Sequence, residues 1–227
     1  MLKKLFQSFR FPLRRLPHPR RTPEILSSRQ HSLHRNDLSR HAVSVVERLQ
    51  HAGYEAYVVG GCVRDLLLDL EPKDYDVATS ATPEQVRAEF RNARVIGRRF
   101  KLVHVHFGRE IIEVATFRAN HPEEDDDEAN HLASRNESGR ILRDNIYGTL
   151  EDDAQRRDFT INALYYDPSS ERILDHTHGV HDIRNRLIRL IGDPEQRYQE
   201  DPVRMLRAVR FAAKLNFEIE KHSAEPI

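Results

Sequence analysis

Two aspartates separated by one residue, Asp74 and Asp76 in the segment KDYDVAT, are the strongest chemical signal in the chain. The segment DYDVATS predicts a β-strand, in which alternate side chains share a face, so the two carboxylates would project from one side about 6.5–7 Å apart. Carboxylates placed in this way repel each other unless a cation lies beside them. Mg²⁺ prefers such oxygen ligands and completes its shell with water and substrate phosphates. Because a D-x-D pair also arises by chance, a plain turn or solvated loop is the alternative.

Glu113 adds a third carboxylate. It interrupts the apolar run of a predicted strand, IIEVATF, and a buried carboxylate without a partner is costly. A metal ion shared with the aspartates would remove that cost, whereas a surface-facing glutamate on an edge strand is the alternative. Paired metal ions about 3.5–4 Å apart bind the attacking and leaving oxygens of a phosphoryl displacement. The acidic set therefore favours phosphoryl transfer with Mg²⁺, or with Mn²⁺ in its place.

Two adjacent glycines, Gly60 and Gly61, follow an apolar run and precede a predicted helix. Backbone without side chains can approach a phosphate closely, and the free N–H groups at a helix start favour an anion. Arg64, one turn into the helix, would add a charge-assisted hydrogen bond. The alternative is an ordinary strand–helix turn. The chain contains no G-x-x-x-x-G-K-[ST] segment, so a Walker loop is excluded.

Length and composition set the limits within which these residues must be positioned. A chain of 227 residues holds one or two domains. It has no run of 18 apolar residues, so no stable membrane insertion is expected. The single cysteine, Cys62, forms no internal disulfide and suits a reducing compartment, which favours the cytoplasm.

Charge is balanced overall, with 36 Lys and Arg against 36 Asp and Glu, but it is unevenly distributed. Residues 1–40 carry ten Lys and Arg side chains against Glu24 and Asp37, and residues 123–128 are all acidic. The basic segment 1–36 is predicted to be a disordered arm. It would attract a polyanion such as RNA, serve only as a solvated tail, or act as an organellar presequence.

The remaining pattern predicts an α+β fold with a mixed or antiparallel sheet. Asn36 and Asp37 are the predicted cap of a first helix that ends at Gly53. The predicted strands and helices are the strand EAYVVGG, the helix CVRDLLLDL, the strand DYDVATS, a helix over 83–91 with a capping box at Thr82–Gln85, and three β-rich runs, ARVIG, KLVHVHFG and EIIEVATFR.

Beyond these strands, residues 119–140 contain almost no apolar side chains and predict a mobile surface loop. The segment RRDFTINALYYD is predicted to be helical and partly buried. Residues 192–216 predict two helices, with Asp201 as a cap and Pro202 in the first helical position. The chain stops at EKHSAEPI without a convincing terminus, which indicates a fragment of a longer protein.

Four motifs in this order resemble the bacterial branch of the class II nucleotidyltransferases: GGCVRD, KDYDVAT, RRDFTINAL and EDPVRMLRAVRFAAKL. That group contains the poly(A) polymerases and the CCA-adding tRNA nucleotidyltransferases. The resemblance covers roughly residues 37–227. It implies a polymerase-β-type head, a small mixed sheet backed by helices, over 37–170. The start of an all-α neck would occupy 171–227, with a helical body and RNA-binding tail lying beyond the chain.

The resemblance also implies a role for each motif. Asp74 and Asp76 would hold catalytic metal, with Glu113 as a third catalytic carboxylate. The residues implied in nucleotide binding are Gly60, Gly61, Arg64 and Asp65 for the triphosphate, Arg157, Asp158 and Asn162 for ribose and phosphate, and Asp201 with Arg204 for the base. An aspartate accepts and an arginine donates hydrogen bonds, so a helix that carries both can form hydrogen bonds complementary to those of a nucleotide base. For Asp201 and Arg204, a surface ion pair at spacing i, i+3 is the alternative.

The segment VIGRRFKLVHV, residues 95–105, resembles the one that marks bacterial poly(A) polymerases, and its Arg98, Arg99 and Lys101 would contact phosphate or RNA. The implied reaction transfers AMP from ATP to an RNA 3′-hydroxyl without a template and releases pyrophosphate. Its partners would be ATP and RNA 3′ ends. The alternatives are CCA addition to tRNA and, in a different class, a non-catalytic RNA-binding protein that retains the fold.

Several other polar residues carry no chemical prediction. The histidines of DHTHGVHD match no common zinc spacing and have no cysteine nearby, so a polar turn before a helix is expected. His104 and His106 share a strand face and are predicted to be surface or RNA-facing residues. Cys62 is predicted to pack in the core.

Overall fold

A computed structural model describes residues 22–97, 101–119, 133–135, 141–144 and 146–227, with backbone only for 133–135 and 141–144. Its main feature is an eight-stranded sheet in the order β1-β10-β9-β2-β3-β6-β5-β4. The strands are β1 Glu24–Leu26, β2 Ala56–Val59, β3 Asp76–Thr79, β4 Ala93–Ile96, β5 Leu102–Phe107, β6 Glu110–Thr116, β7 Ala133–Arg135, β8 Ile141–Asp144, β9 Leu164–Asp167, β10 Arg172–Asp175, β11 Leu187–Ile188 and β12 Glu218–Ile219.

The sheet is mixed, as predicted. Strands β3 and β6 pair in parallel, while the other pairs within the eight-stranded sheet are antiparallel. Strands β7 and β8 form a separate antiparallel pair, and β11 pairs with β12 in parallel. Strands β4, β5 and β6 are the three β-rich runs predicted from the sequence, and all three are confirmed.

The helices are α1 Arg40–His51, α2 Gly61–Leu67, α3 Pro83–Glu89, α4 Leu150–Arg156, α5 Gly179–Arg184, α6 Pro194–Glu200, α7 Val203–Leu215 and α8 Lys221–Ala224. None of the described helices is long and apolar enough to span a bilayer. The capping box of Thr82 and Gln85 is confirmed, although α3 ends at Glu89 rather than at residue 91. The predicted cap of α1 is wrong, because the Ser39 hydroxyl accepts the first free N–H groups while residues 35–37 form a separate 3₁₀ turn.

The sheet has apolar side chains on both faces. Alternation along β2 sends Val58 to the larger core, which α1 and α3 cover, and Val59 to a smaller core on the opposite face. Ala154 of α4 packs in this smaller core together with Tyr165 of β9. Asp76, which pairs with Val59 across the strands, therefore shares a face with α4.

The predicted helix RRDFTINALYYD is wrong. Residues Thr160–Asn162 form a single 3₁₀ turn, and β9 follows as an inner strand between β10 and β2. Leu164, Tyr165 and Tyr166 are all buried, because both faces of β9 are covered. The sequence of such a strand is a continuous apolar run rather than an alternating one. Periodicity alone does not separate such a run from a buried helix.

The two helices predicted over residues 192–216 are confirmed as α6 and α7, with one correction at their junction. Asp201 is the C-cap of α6, and α7 begins at Val203 behind Pro202, one residue later than expected. The Asp201 carboxylate still accepts the Val203 N–H at 3.3 Å. Asp201 therefore still caps the start of α7, although it lies two residues before the helix begins.

The sheet extends past both limits expected for the head. Strand β1 lies inside the segment predicted to be an arm, and β10 follows residue 170. The division into a head and a neck remains a prediction. Residues 1–21, Arg98, Arg99, the acidic run 123–128 and most of the predicted loop 119–140 lie outside the described residues, although β7 occupies part of that loop segment.

Candidate active site

The site begins at the turn between β2 and α2. Gly60 has φ +86° and ψ −133°, a conformation that side chains with a Cβ rarely adopt. A Cβ built on Gly60 would lie 3.7 Å from Arg157 Nη1 and 3.9 Å from Asp76 Oδ2. The glycine turn therefore faces one cationic and one anionic side chain at close range.

Asp76 and Glu113 are cross-strand neighbours. They occupy paired positions on the parallel strands β3 and β6, so their side chains share a face about 5 Å apart. Asp74 is placed differently from its prediction, because β3 begins at Asp76 and Asp74 is an exposed residue of the preceding loop. The close acidic pair is thus formed between strands rather than along one strand.

The electrostatics of Asp76 are unusual. Burial, followed by the charges of Glu113 and Asp74, raises the pKa of Asp76 to about 6, although Arg157 opposes the change. Among the described residues, neither Asp76 nor Asp74 has a side-chain hydrogen bond or ion pair. The ionised Asp76 carboxylate is consequently short of a positive partner.

A divalent cation fits this deficit. Within the described part of the chain, no three His, Cys, Asp or Glu side chains lie close enough together to form a metal cage. Mg²⁺ is usually bound by one or two carboxylates together with substrate phosphates and water. The pair of Asp76 and Glu113 satisfies that requirement, provided that a phosphate completes the shell.

Arg157, the C-cap of α4, lies between the acidic pair and a second buried carboxylate, Asp153. Arg157 Nη2 donates to Asp153 Oδ2 at 3.0 Å, and the Tyr165 hydroxyl donates to the same oxygen at 2.8 Å. Burial alone raises the pKa of Asp153, but the charges of Arg157 and Arg156 and the Tyr165 hydrogen bond outweigh it and lower the pKa to about 2. Asp153 and Tyr165 were missed from the sequence, since neither lies in a recognisable motif position.

Arg64 and Asp65 bind each other. Arg64 Nε donates to Asp65 Oδ1 at 2.8 Å, and Arg64 Nη1 donates to Asn162 Oδ1 at 2.6 Å. The Arg64 guanidinium also lies over the Phe211 ring of α7, 5.1 Å from its centroid, and Lys214 contacts Asp65 at 3.3 Å. Arg64 is only 3% exposed, so this geometry favours a role in bracing α2 rather than a free anion-binding arm.

Asp158 and Asn162 flank the same turn. Asp158 Oδ2 accepts from Arg207 Nε at 2.6 Å, while Oδ1 accepts the Phe159 N–H and, at 3.3 Å, Asn162 Nδ2. Arg207 belongs to α7, two turns before Lys214. This helix therefore holds both the α2 segment and the segment after α4.

Arg204 does not pair with Asp201. Its Nη1 donates to the Arg197 carbonyl at 2.7 Å and to Glu200 Oε2 at 3.2 Å, so the expected alternative of an i, i+3 surface pair is wrong. Arg197 Nη2 in turn donates to the Arg157 carbonyl at 2.7 Å. Arg197 and Glu200 were missed from the sequence. The available signal was their spacing, because Arg197 and Glu200 are three residues apart and Glu200 and Arg204 are four apart.

These contacts connect most of the predicted residues. Hydrogen bonds link Arg157 through Arg197 to Arg204, and both Asp76 and Arg157 lie close to the Gly60 turn. A second set of hydrogen bonds links Arg64 to Asp65 and to Asn162, and Asn162 to Asp158. Asp201 joins by its backbone, whose carbonyl accepts the Arg204 N–H.

Cys62 and the histidine-rich segment agree with their predictions. Cys62 donates to the Val59 carbonyl, and burial raises the pKa of its thiol to about 12, which fits core packing. The histidine-rich segment forms a polar turn into α5, in which the Asp175 carboxylate accepts the N–H groups of Gly179 and Val180.

Comparison with known proteins identifies the family. The family model described as the Poly A polymerase head domain matches residues 56–189, which contain β2, β3, β6 and β9. This chain belongs to that family, within the class II nucleotidyltransferases. It is 58% identical over 203 residues to Poly(A) polymerase I of Salmonella typhimurium and 41% identical over 186 residues to the CCA-adding enzyme of Lactobacillus helveticus.

Solved structures confirm the polymerase head fold. The CCA-adding enzyme of Bacillus stearothermophilus in complex with CTP aligns with a TM-score of 0.68 at 36% identity, over 82% of this chain and 42% of that one. A tRNA nucleotidyltransferase complexed with a primer tRNA and an incoming ATP analog aligns with a TM-score of 0.58 at 29% identity, over 79% and 47%. The two relatives by sequence match over 89% and 82% of this chain, which spans 43% of each of them.

Proposed function

We propose that this chain carries the nucleotidyl-transfer centre of an RNA-polyadenylating enzyme, which transfers AMP from ATP to an RNA 3′-hydroxyl and releases pyrophosphate. The observation that carries the proposal is the Asp76 carboxylate, which has no side-chain hydrogen-bond donor among the described residues and lies opposite Glu113 beside the Gly60 turn. Greater identity to Poly(A) polymerase I than to the CCA-adding enzyme supports adenylate as the transferred group.

The acidic side chains are proposed to hold Mg²⁺, or Mn²⁺ in its place. When bound, the metal neutralises charge on the triphosphate and activates the 3′-oxygen. Asp76, beside the Gly60 turn, and Glu113, on the adjacent strand, would hold the metal. Asp74, which is exposed, extends the acidic set on the solvent side.

The remaining residues are proposed to bind ATP. The backbone of Gly60 and Gly61 and the Arg157 guanidinium face the triphosphate, while Arg64 and Asp65 hold the turn in shape through Asn162. Asp158 and Asn162 accept and donate to the ribose. Asp201 and Arg204 offer an acceptor and a donor to the adenine edge.

CCA addition to tRNA is the second candidate, because a solved relative of the same fold was captured with CTP. Both candidates use the same carboxylates and differ in the base accepted and in the RNA extended. A non-catalytic RNA-binding role would not need a largely buried Asp76 carboxylate without a donor, which costs folding free energy. We propose a cytoplasmic location, in keeping with the single buried thiol.

The test offers ATP and CTP separately, with Mg²⁺, to a generic RNA and to a tRNA lacking its 3′ end. Long A tracts on generic RNA are expected. Two C additions that stop on the tRNA would favour CCA addition instead. Asp76→Asn should abolish incorporation, and Glu71→Gln, an exposed acidic control, should not. RNA binding that survives Asp76→Asn without any incorporation by the wild type would favour the non-catalytic role.

A further inference from the structure

A histidine lies next to the pair of Asp76 and Glu113 on the neighbouring strand of the sheet. Strand β5 pairs with β6 so that His104 lies opposite Glu113, and β6 pairs with β3 so that Glu113 lies opposite Asp76. Cross-strand partners share a face of the sheet. His104, Glu113 and Asp76 therefore form one transverse row, with Glu113 in the middle.

His104 contacts Glu113 directly. His104 Nε2 lies 3.3 Å from Glu113 Oε2, and the side chains are 26% and 42% exposed. An ionised carboxylate only accepts hydrogen bonds, so Nε2 carries the proton and donates it to this bond. No other side chain in the described residues hydrogen-bonds to the Glu113 carboxylate.

Glu113 needs such a partner to keep its position. Its side chain has three rotatable bonds, and the charge of Asp76 repels the carboxylate away from the row. An exposed glutamate without a partner would turn toward water. The hydrogen bond from His104 opposes that tendency and fixes the carboxylate on the face that Asp76 occupies.

We propose that His104 is a positioning residue that holds the Glu113 carboxylate in the metal-binding orientation. The inference rests on the proposed function and deepens it, because it assigns to β5 a part in metal binding. Outer partners that orient a ligating carboxylate typically contribute 10–100-fold to metal affinity or activity. The partial exposure of this pair favours the lower end, about tenfold.

His106 supplies a matched control. It shares the strand and face of His104, and their rings meet edge to face with centroids 6.2 Å apart. Its cross-strand partner is Ile111 rather than a carboxylate. Removing the His106 imidazole disturbs the local packing in a similar way but leaves the contact with Glu113.

The test measures Mn²⁺ affinity by electron paramagnetic resonance, with a non-hydrolysable ATP analogue and without turnover. His104→Leu should weaken Mn²⁺ binding about tenfold. His104→Gln, whose amide nitrogen can replace Nε2–H, should restore binding to within about threefold, and His106→Leu should leave it unchanged. Equal losses in His104→Leu and His106→Leu, or no rescue by Gln, would overturn the proposal.

A double-mutant cycle separates positioning from general damage. In a Glu113→Gln background, His104→Leu should have no further effect on Mn²⁺ affinity. If it still weakens binding about tenfold, His104 does not act through Glu113 and the proposal is wrong. The cycle does not depend on polyadenylation, so a wild type that binds Mn²⁺ yet extends no RNA would contradict the proposed function alone.

Discussion

Two partly or fully buried carboxylates lie on either side of Arg157 and differ sharply in their surroundings. Asp153 accepts from Arg157, Arg156 and Tyr165, and its pKa falls to about 2. Asp76 has no such donor among the described residues, and burial raises its pKa to about 6. One carboxylate is satisfied by the fold, and the other is left for a ligand.

The comparison shows how one arginine serves two purposes. The contacts of Arg157 with Asp153 and Tyr165 fix its guanidinium, while its Nη1 faces the Gly60 turn. Its charge lowers the pKa of Asp76 but does not cancel the effect of burial and of Glu113. A fixed cation beside an uncompensated anion is an arrangement suited to a metal–triphosphate complex.

The largest effect is expected for Asp76→Asn on nucleotidyl transfer. At the proposed metal site the change removes a charged oxygen ligand, and bound metal contributes several kcal/mol to such reactions, so the rate should fall at least about 10³-fold. Single-turnover incorporation of AMP measures it. A loss of rate below about tenfold would show that the Asp76 carboxylate does not bind the metal.

Asp153→Asn should instead damage stability. It leaves the half-buried Arg157 without its anion, and breaking a buried pair costs about 3–5 kcal/mol, so a loss near the lower end is expected. Urea unfolding at neutral pH measures the free energy of unfolding. An unchanged midpoint would mean that Asp153 does not balance Arg157.

Gly60→Ala should cost about 1–3 kcal/mol, because φ +86° with ψ −133° is close to a region reserved for glycine. Gly61→Ala is the matched control for stability. Its Cβ would meet Arg64 Nη2 at an ordinary 3.5 Å and Ala is the better helix former, so the free energy of unfolding should stay the same or rise by up to about 1 kcal/mol. Gly61→Ala should nevertheless raise the KM for ATP, and an unchanged KM would contradict contact between this backbone and the triphosphate.

Without divalent ions, Asp76→Asn should stabilise the protein at pH 7. A carboxyl whose folded pKa exceeds 3.8 binds protons more tightly when folded, so wild-type stability falls as pH rises from about 4 to about 6. The rise in the pKa of Asp76 corresponds to roughly 3 kcal/mol of lost wild-type stability at pH 7. Because Asp76 is partly exposed, we expect a stability difference between the two proteins of about 1–2 kcal/mol. Unfolding curves for both proteins at pH 4 and pH 7 should diverge only at pH 7. Destabilisation at pH 7 would contradict the assignment.

Much of the site was predictable because its signals are local. The glycines after an apolar run, the acidic residue at the start of β3 and the glutamate inside β6 each interrupt an expected pattern. Parallel pairing of β3 with β6 then brings Asp76 and Glu113 together. The polymerase head fold also followed from the order of the motifs.

The rest depends on tertiary context. Asp74 leaves the strand because pairing with β2 and β6 starts at Asp76, which alternation along the sequence does not reveal. The apolar run of β9 resembled a helix because both faces are covered. Arg204 pairs with Glu200 rather than with Asp201, since the helix break after Glu200 turns Asp201 into a cap.

The central claim is tested most directly by the pKa of Asp76, measured by ¹³C NMR titration of its carboxyl carbon. Without divalent ions the pKa should be about 6, well above that of Asp153, and it should fall when Mg²⁺ and an ATP analogue are added. A metal-free value near 4 that Mg²⁺ leaves unchanged would contradict the account.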